Sequence, residues 1–555
     1  MRANHGAYYP KRFEMTQTFD YIIVGAGSAG CVLANKLSAC GSHKVLLIEA
    51  GGTDRRFWIN VPLGYGKTFN DPKVNWCYSA QADPGLNNRQ AYWPRGRVIG
   101  GSSSINAMAY LRGLSHDFDD WAKAGAEGWN WETVRQTYEA IETHVERGQT
   151  PSSTDGPLVV SDVSEGMHPF SRHFLEASRQ MGWHVSDNLN GQDAEGMMNL
   201  RSTVKNGRRW SSAAAFLRPA LKRSNLRVVS NALVQNVILD QGKATGVRYH
   251  VGGQVVTSFA IREVILSAGA VNSPQLLQLS GIGPANLLKR HGIKVRHNLS
   301  QVGQGLQDHL GISHFFHATE PTLNNTLGNR LGQMLSGIRY LLTRSGPLSV
   351  PVNQVSGFVR SDETAEFADM QIYCNPMSYK TDTKGQPGVD TEAGFLLCAQ
   401  PCRPTSRGEI NIRSADPMDA PAIQPNSLST NHDCDMAIKA GRVLQKLAQT
   451  ETIRSVTRTR IEPDVTRMND DQLLENFRAN AGTIFHPSCT CRMGTSEQDS
   501  VLDSRLRVHG VAGLRVVDAS SFPSITSGNT NAPVMMLAAR GADLILEDAT
   551  KRMNA

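Results

Sequence analysis

The strongest chemical signal in the chain is Gly25-Ala26-Gly27-Ser28-Ala29-Gly30, which follows Tyr21-Ile22-Ile23-Val24 at once. The β-branched run reads as a buried parallel strand. Val32, Leu33, Lys36 and Leu37 then recur at helical spacing, and Gly41 supplies a stop. Each glycine has a physical job: Gly25 permits the tight turn, Gly27 lets backbone approach a diphosphate, and Gly30 lets helix and strand pack closely. The helix start at Ser28 and Ala29 turns unpaired N–H groups toward phosphates. A second strand, Val45-Leu46-Leu47-Ile48, ends in Glu49-Ala50, about 20 residues past the glycines, as ribose recognition requires. Glu49 would accept hydrogen bonds from ribose hydroxyls. Strand, glycines, helix, strand and acid in register specify a dinucleotide site without separating NAD from FAD.

Other elements must carry the rest of the site. Trp93 to Asn106 is dense in glycine and small hydroxyl residues, which suits close approach of backbone to a cofactor or an ordinary surface loop. Leu226 to Asp240 alternates apolar and polar residues, predicting one half-exposed strand. Glu263 to Ala270 reads as a buried strand reaching a glycine turn, followed by a helix with Ser273 as N-cap and Pro274 at its first position. From about Gly311 to Arg467 the alternation is irregular and turn-rich, predicting sheet on the substrate side. Gly513 to Asp518 reads as a strand ending in an acid, and Asn529-Thr530-Asn531-Ala532-Pro533 precedes a last helix. A cofactor touched near both ends of the chain must be long, which favours FAD over NAD.

Composition excludes several classes. Of 555 residues, Lys+Arg number 57 and Asp+Glu 50, a net +7 with no block of like charge, so nucleic-acid binding is not expected. A weak attraction to anionic substrates or to a membrane surface is compatible with that charge. No apolar run approaches the ~18 residues of a transmembrane helix. The nine cysteines are scattered and odd in number, unlike a disulfide framework, so a reducing cytoplasm is expected. Cys489-Thr490-Cys491 is too tight for the usual zinc pair, and no metal is expected. Met1 to Thr18 is polar, lacks the apolar core of a secretory signal and predicts a flexible extension, with Met15 an alternative start.

Together these clusters resemble the glucose–methanol–choline (GMC) oxidoreductases, flavoenzymes that oxidise alcohols. Within them the chain is most similar to bacterial choline-dehydrogenase-like and alcohol-dehydrogenase-like members. Gly96 to Asp119 and Gly269 to Gly283 match two family signatures, and His486-Pro487, Arg492-Met493-Gly494, Asp518-Ala519-Ser520 and Asn529 to Pro533 match the C-terminal pattern in order. The resemblance implies a mixed α/β and α+β fold. A discontinuous Rossmann-like FAD-binding domain carries an inserted substrate domain with a six-stranded antiparallel sheet. The expected division begins with a flexible extension over 1–18. The FAD-binding domain is then drawn from 19–160, 226–310 and 468–555, the last stretch carrying the catalytic residues. The substrate domain is drawn from 161–225 and 311–467.

The resemblance also implies roles. Gly25, Gly27, Gly30 and Glu49 match the ADP site. Arg97, Val98, Gly100, Gly101, Asn106 and Ala107 match the loop along flavin and diphosphate. The backbone of Val234 matches the adenine contact, Asp518 and Ala519 the diphosphate and ribityl chain, and Asn531 and Pro533 the helix start near the isoalloxazine. Ile105 stands where some relatives carry the histidine that links FAD covalently, so dissociable FAD is expected. His486 matches the base that takes the hydroxyl proton while flavin N5 takes the hydride, and Asn531 matches its partner on the substrate oxygen. Cys489 fills a slot that usually holds glycine, and its expected role is a packed small hydrophobe.

Gln354 stands where choline dehydrogenases are expected to carry an acid, which argues for a neutral primary alcohol, aliphatic or aryl, over choline. Electrons would pass to a quinone or another carrier, with oxygen as the rival acceptor. A hydroxynitrile lyase and a flavin-binding protein without activity are the further alternatives. The expected setting is cytoplasmic, possible peripheral contact with the inner membrane included.

Overall fold

The computed structural model describes residues 16–146, 156–381, 387–461 and 463–554. Its first sheet has seven strands built around the glycine motif. Tyr21–Val24 pairs in parallel with Val45–Ile48 on one side and with Glu263–Leu266 on the other. Every residue of that run is buried, as a parallel strand covered on both faces requires. Leu226–Val229 extends the sheet in parallel beyond Val45–Ile48, and Leu514–Val516 pairs in parallel with Val264–Leu266. Ala232–Asp240 and Lys243–Val251 add an antiparallel hairpin, which pairs with the first half of the long strand Gln254–Leu266.

The stretch from Leu226 to Asp240 is therefore two strands. They break at Ser230-Asn231, where Asn231 takes φ 52° and donates its N–H to Gly51 O. The extension at the N-terminus also ends earlier than expected. Thr16–Thr18 are the first residues of the first strand, paired with Thr257–Phe259. Residues 1–15 of the predicted extension, Met15 included, lie outside the described residues.

The second sheet is wholly antiparallel. Six strands run in the order Thr457–Arg460, Leu310–Ala318, Gly394–Pro401, Met370–Asn375, Val355–Val359 and Gly196–Asn199. A seventh, the two-residue Gly482–Thr483, pairs with Leu310-Gly311. The predicted return to the first domain at 468 is thus too early. Helix Asp470–Asn480 packs on helix Asn431–Gln449, Phe477 joins the core beneath the second sheet, and the chain leaves that sheet only after Thr483. That exit places His486 three residues beyond a strand of one sheet and beside the other.

The last helix, Asn531–Asn554, packs on helix Ser28–Leu37 and closes the first domain. A buried charge cluster pins it. Arg515 Nε and Nη2 donate to both carboxylate oxygens of Glu263, at 2.6 and 3.1 Å, and Nη2 also reaches Asp548 at 2.7 Å. Removing one member of such a cluster leaves the other charges buried without compensation. Arg515→Met should cost about 3–5 kcal/mol and lower the thermal midpoint of the holoprotein. A midpoint equal to wild type in calorimetry would show that the cluster does not hold this helix.

Candidate active site

A cavity of about 440 Å³ runs along the C-terminal ends of the parallel strands into the seam between the two sheets. This is where open α/β sheets bind ligands. Its walls include Gly25, Gly27, Ser28, Ala29, Glu49, Ala50, Gly101, Asn106, Ala107 and Val234. Asp518, Ala519, Asn531 and His486 line it as well. Gly30, Arg97, Val98, Gly100 and Pro533 stand behind these walls. Gly30 sits against the Gly25 carbonyl, where a Cβ would overlap that oxygen. The Arg97 guanidinium stacks 4.7 Å over the Trp76 ring. Gly100 turns the loop at φ 90°, and its N–H donates to Ala26 O.

The residues present fit a long dinucleotide. Helix Ser28–Leu37 begins with no side-chain cap, so its first N–H groups are available to phosphate. A Cβ built on Gly27 meets nothing closer than 3.9 Å and would intrude on the cavity itself. Glu49 is buried and accepts from Ala26 N–H and Gly51 N–H, each at 2.8 Å. Each oxygen keeps a further lone pair for a ribose hydroxyl. Burial pushes the Glu49 carboxyl up to about 7, and the two backbone donors and Arg97 oppose that shift.

Asp518 is occupied within the protein: it accepts from Gly269 N–H, Ser273 Oγ, Ser520 N–H and Ser520 Oγ. Ser273 is therefore not an N-cap. The helix starts a turn earlier, at Gly269, because Asp518 takes up the Gly269 N–H from outside.

At the seam, His486 stands in a directed chain of hydrogen bonds. His309 Nε2 lies 2.8 Å from the Cys402 carbonyl, which can only accept. Neutral His309 therefore presents Nδ1 as an acceptor. His486 Nδ1 lies 2.9 Å from it and must donate. The Nε2 of His486 then carries a lone pair, and Asn529 Nδ2 donates to it at 3.2 Å. The Tyr373 hydroxyl, 3.2 Å from Asn529 Oδ1, sets which end of that amide faces His486. Burial holds the Tyr373 hydroxyl well above its usual range, so it stays protonated.

Backbone supports this chain. Asp308 Oδ1 accepts the His486 N–H at 2.7 Å, and burial pushes that carboxyl up to about 6. Phe485, at φ 68°, adopts a left-handed conformation rare for a bulky residue. The Thr483 hydroxyl accepts its N–H at 2.8 Å, and half-buried Arg95 donates to its carbonyl at 2.6 Å.

Asn531 is not at His486. Its Oδ1 accepts from Ser28 Oγ at 2.8 Å, which ties the two ends of the chain together at the helix starts. Asn529 is the amide beside His486, and the motif Asn529-Thr530-Asn531 held both. Asp308-His309, Arg95 and Tyr373 were missed by sequence reasoning, since nothing local connects them to position 486.

Gln354 is also placed elsewhere. It is fully buried, and its Oε1 accepts from His168 N–H and Ser171 Oγ at the start of helix Ser171–Gln180. The cavity wall beyond His486 carries Ser313, Asn353, Asn375, Leu396, Cys398 and Ile484, with no carboxylate among them. Cys489 is buried off the cavity with φ 72°, a conformation that favours glycine. Burial pushes its thiol up to about 11.

The fold and the site define a flavin-dependent oxidoreductase that acts on a CH–OH group, with FAD as cofactor. The chain belongs to the GMC oxidoreductase family, whose N- and C-terminal models match residues 19–311 and 404–538. It is 39% identical over 535 residues to an oxygen-dependent choline dehydrogenase of Vibrio vulnificus (strain YJ016), covering 96% of this chain and 95% of that one. It is 39% identical over 534 residues to an alcohol dehydrogenase [acceptor] of Pseudomonas putida, covering 95% and 96%. Its structure matches pyridoxine 4-oxidase from Mesorbium loti at a TM-score of 0.85 and 28% identity, covering 94% of this chain and 98% of that one.

Burial, with help from His309 and the Arg95 charge, holds the His486 imidazole well below its ordinary value. An imidazole can accept a proton only while neutral, and a depressed pKa keeps His486 neutral to lower pH. The rate of anaerobic flavin reduction should therefore stay level through neutral pH. Its acid limb should lie below the ordinary histidine value of about 6.5. Arg95→Gln should move that limb upward. A wild-type limb at or above the ordinary value would contradict the assigned state of His486.

Proposed function

We propose that the protein oxidises a neutral primary alcohol, aliphatic or aryl, to the aldehyde, with His486 as the base. The observation that carries this reading is the lone pair on His486 Nε2, directed by the chain that starts at the Cys402 carbonyl. The substrate hydroxyl donates to that Nε2 and accepts from Asn529 Nδ2. The two nitrogens, 3.2 Å apart, form a seat for one oxygen. As the proton moves to His486, Asn529 stabilises the charge that develops on oxygen without titrating itself. His309 takes part as a positioning residue, since it holds the His486 ring in the reactive tautomer. FAD, when bound, supplies the acceptor for the hydride that leaves the carbinol carbon. Gly27, Ser28, Glu49 and Gly101 would hold it. Ile105 offers no nucleophile, so we propose that FAD is dissociable.

A quaternary ammonium substrate calls for a carboxylate or an aromatic cage. The cavity carries aromatic rings, Tyr65, Phe69 and Tyr373 among them, but the wall named beyond His486 lacks a carboxylate, and that supports an uncharged alcohol although several relatives are named for choline. The acceptor in this reading is a quinone or another carrier, in the cytoplasm with peripheral contact at the inner membrane. Oxygen is the second reading, favoured by the likeness to pyridoxine 4-oxidase.

His486→Ala should keep the yellow flavin and slow its anaerobic reduction by about 10²–10⁴-fold, a loss typical of a general base. Asn529→Ala should cost about 10²-fold, and Asn531→Ala should act mainly on flavin retention. Stopped-flow reduction with benzyl alcohol reads all three, and an unimpaired His486 variant would remove the assignment. Benzyl alcohol should bleach the flavin faster than choline does; equal rates would defeat the neutral-pocket reading. Acid precipitation should release the flavin to the supernatant, whereas flavin kept in the pellet would mean a covalent bond.

A further inference from the structure

Helix Arg330–Thr343 is packed the wrong way round for a core element. Its apolar residues, Leu331, Met334, Leu335, Ile338, Leu341 and Leu342, follow the spacing of a single helical stripe. That stripe faces outward: Leu331 is 63% exposed and Leu342 79%. The buried positions on the opposite side are Ser336 and Tyr340. The patch continues onto the short helical turn Phe57–Asn60, whose Phe57 and Trp58 are also exposed. The Phe57 ring meets the Tyr340 ring edge-on at 6.5 Å, and the Tyr340 hydroxyl donates to Gly207 O at 3.0 Å. Scattered apolar residues are ordinary on a surface, but a contiguous stripe of this kind marks an interaction site.

Charge along the segment that carries the stripe has one sign. Pro321 to Ser361 contains no aspartate or glutamate, while Arg330, Arg339 and Arg344 punctuate the helix. The segment from Arg55 to Asn70 carries Arg55, Arg56 and Lys67; Asp54 and Asp71 stand at its ends, and Arg56 pairs with Asp71 at 3.5 Å. A second copy of the chain would bring like charges together across the contact. An anionic lipid surface neutralises them while it takes up the apolar stripe.

We propose that this face docks on an anionic lipid bilayer, the stripe in the interface and the arginines at the phosphates. The docked face adjoins the catalytic cavity. The segment just after Trp58 carries Tyr65 and Phe69, which line that cavity, and Tyr65 packs against Leu323 and Leu327 of the preceding helical turn. An apolar alcohol or acceptor dissolved in the bilayer therefore meets the protein beside its active site. This deepens the peripheral contact proposed above and is independent of His486 and of the substrate.

Sedimentation of the full-length holoprotein with lipid vesicles tests it. Binding to phosphatidylcholine vesicles that contain phosphatidylglycerol should exceed binding to phosphatidylcholine alone by about tenfold or more, and high salt should weaken it. Leu335→Glu/Leu342→Glu should abolish sedimentation yet leave turnover of a water-soluble alcohol with a dye acceptor unchanged. Arg330→Gln/Arg339→Gln should lower the preference for phosphatidylglycerol without disturbing the apolar stripe. Wild-type protein that ignores phosphatidylglycerol, or a leucine variant that binds like wild type, overturns the proposal. So does a concentration-dependent dimer that the leucine substitutions dissolve, since a second copy would then be the occupant. Turnover is read separately, so a wrong substrate reading leaves the lipid result intact.

Discussion

Two imidazole nitrogens 2.9 Å apart, His309 Nδ1 and His486 Nδ1, repel each other unless one carries a proton and the other does not. The Cys402 carbonyl decides which, because it accepts from His309 Nε2 and thereby strips His309 Nδ1 of its proton. From that single commitment the direction of every later bond follows, through His486 to Asn529 and Tyr373. Both rings are buried, so a protonated pair would place two like charges in a region of low dielectric. Burial thus both demands the neutral chain and protects it, and the lone pair at His486 Nε2, met by Asn529 Nδ2, is its product.

The chain of bonds depends on segments that are remote in sequence. His309 lies just before strand Leu310–Ala318, Cys402 just past the end of Gly394–Pro401, and Tyr373 within Met370–Asn375. All three strands belong to the antiparallel sheet. His486 arrives through Gly482–Thr483 and the left-handed Phe485. Asn529 arrives from the opposite side, on the approach to the helix that packs against the glycine motif. The His486–Asn529 pair is therefore assembled from segments on two sheets, and the dinucleotide cavity runs into the seam between those sheets. Arg515, with Glu263 and Asp548, locks that last helix to the parallel sheet and so bears on Asn529 as well as on stability.

Local pattern explains what was legible. The glycine motif, its flanking strands and Glu49 lie within one continuous stretch, and each residue's job is fulfilled by its near neighbours. His486 and the Asn529-Thr530-Asn531 motif were legible as a unit, but the choice between the two amides was not. A helix start turns residues two apart in different directions, and Asn531 turns to Ser28. Ser273 misled for a similar reason. It has the chemistry of an N-cap, and the helix nevertheless begins at Gly269, because Asp518 satisfies the first N–H from 249 residues away. Gln354 was assigned to the substrate by position along the chain, whereas the sheet turns it to the opposite face, onto helix Ser171–Gln180.

The sequence by itself determined the dinucleotide unit, the long cofactor touched at both ends of the chain, and the family to which those motifs belong. These rest on backbone requirements such as glycine conformations, strand periodicity and helix starts, which act over short range. Tertiary structure alone decided which nitrogen of His486 carries the lone pair, which asparagine faces it, and that among the described residues no carboxylate stands on the wall beyond it. It also decided that the stripe on helix Arg330–Thr343 looks outward, since the periodicity of an amphipathic helix is the same whether its apolar face meets a core or the outside. Proton positions and pocket walls are set by long-range contacts between sheets, and those contacts exist only once the two domains have closed on each other.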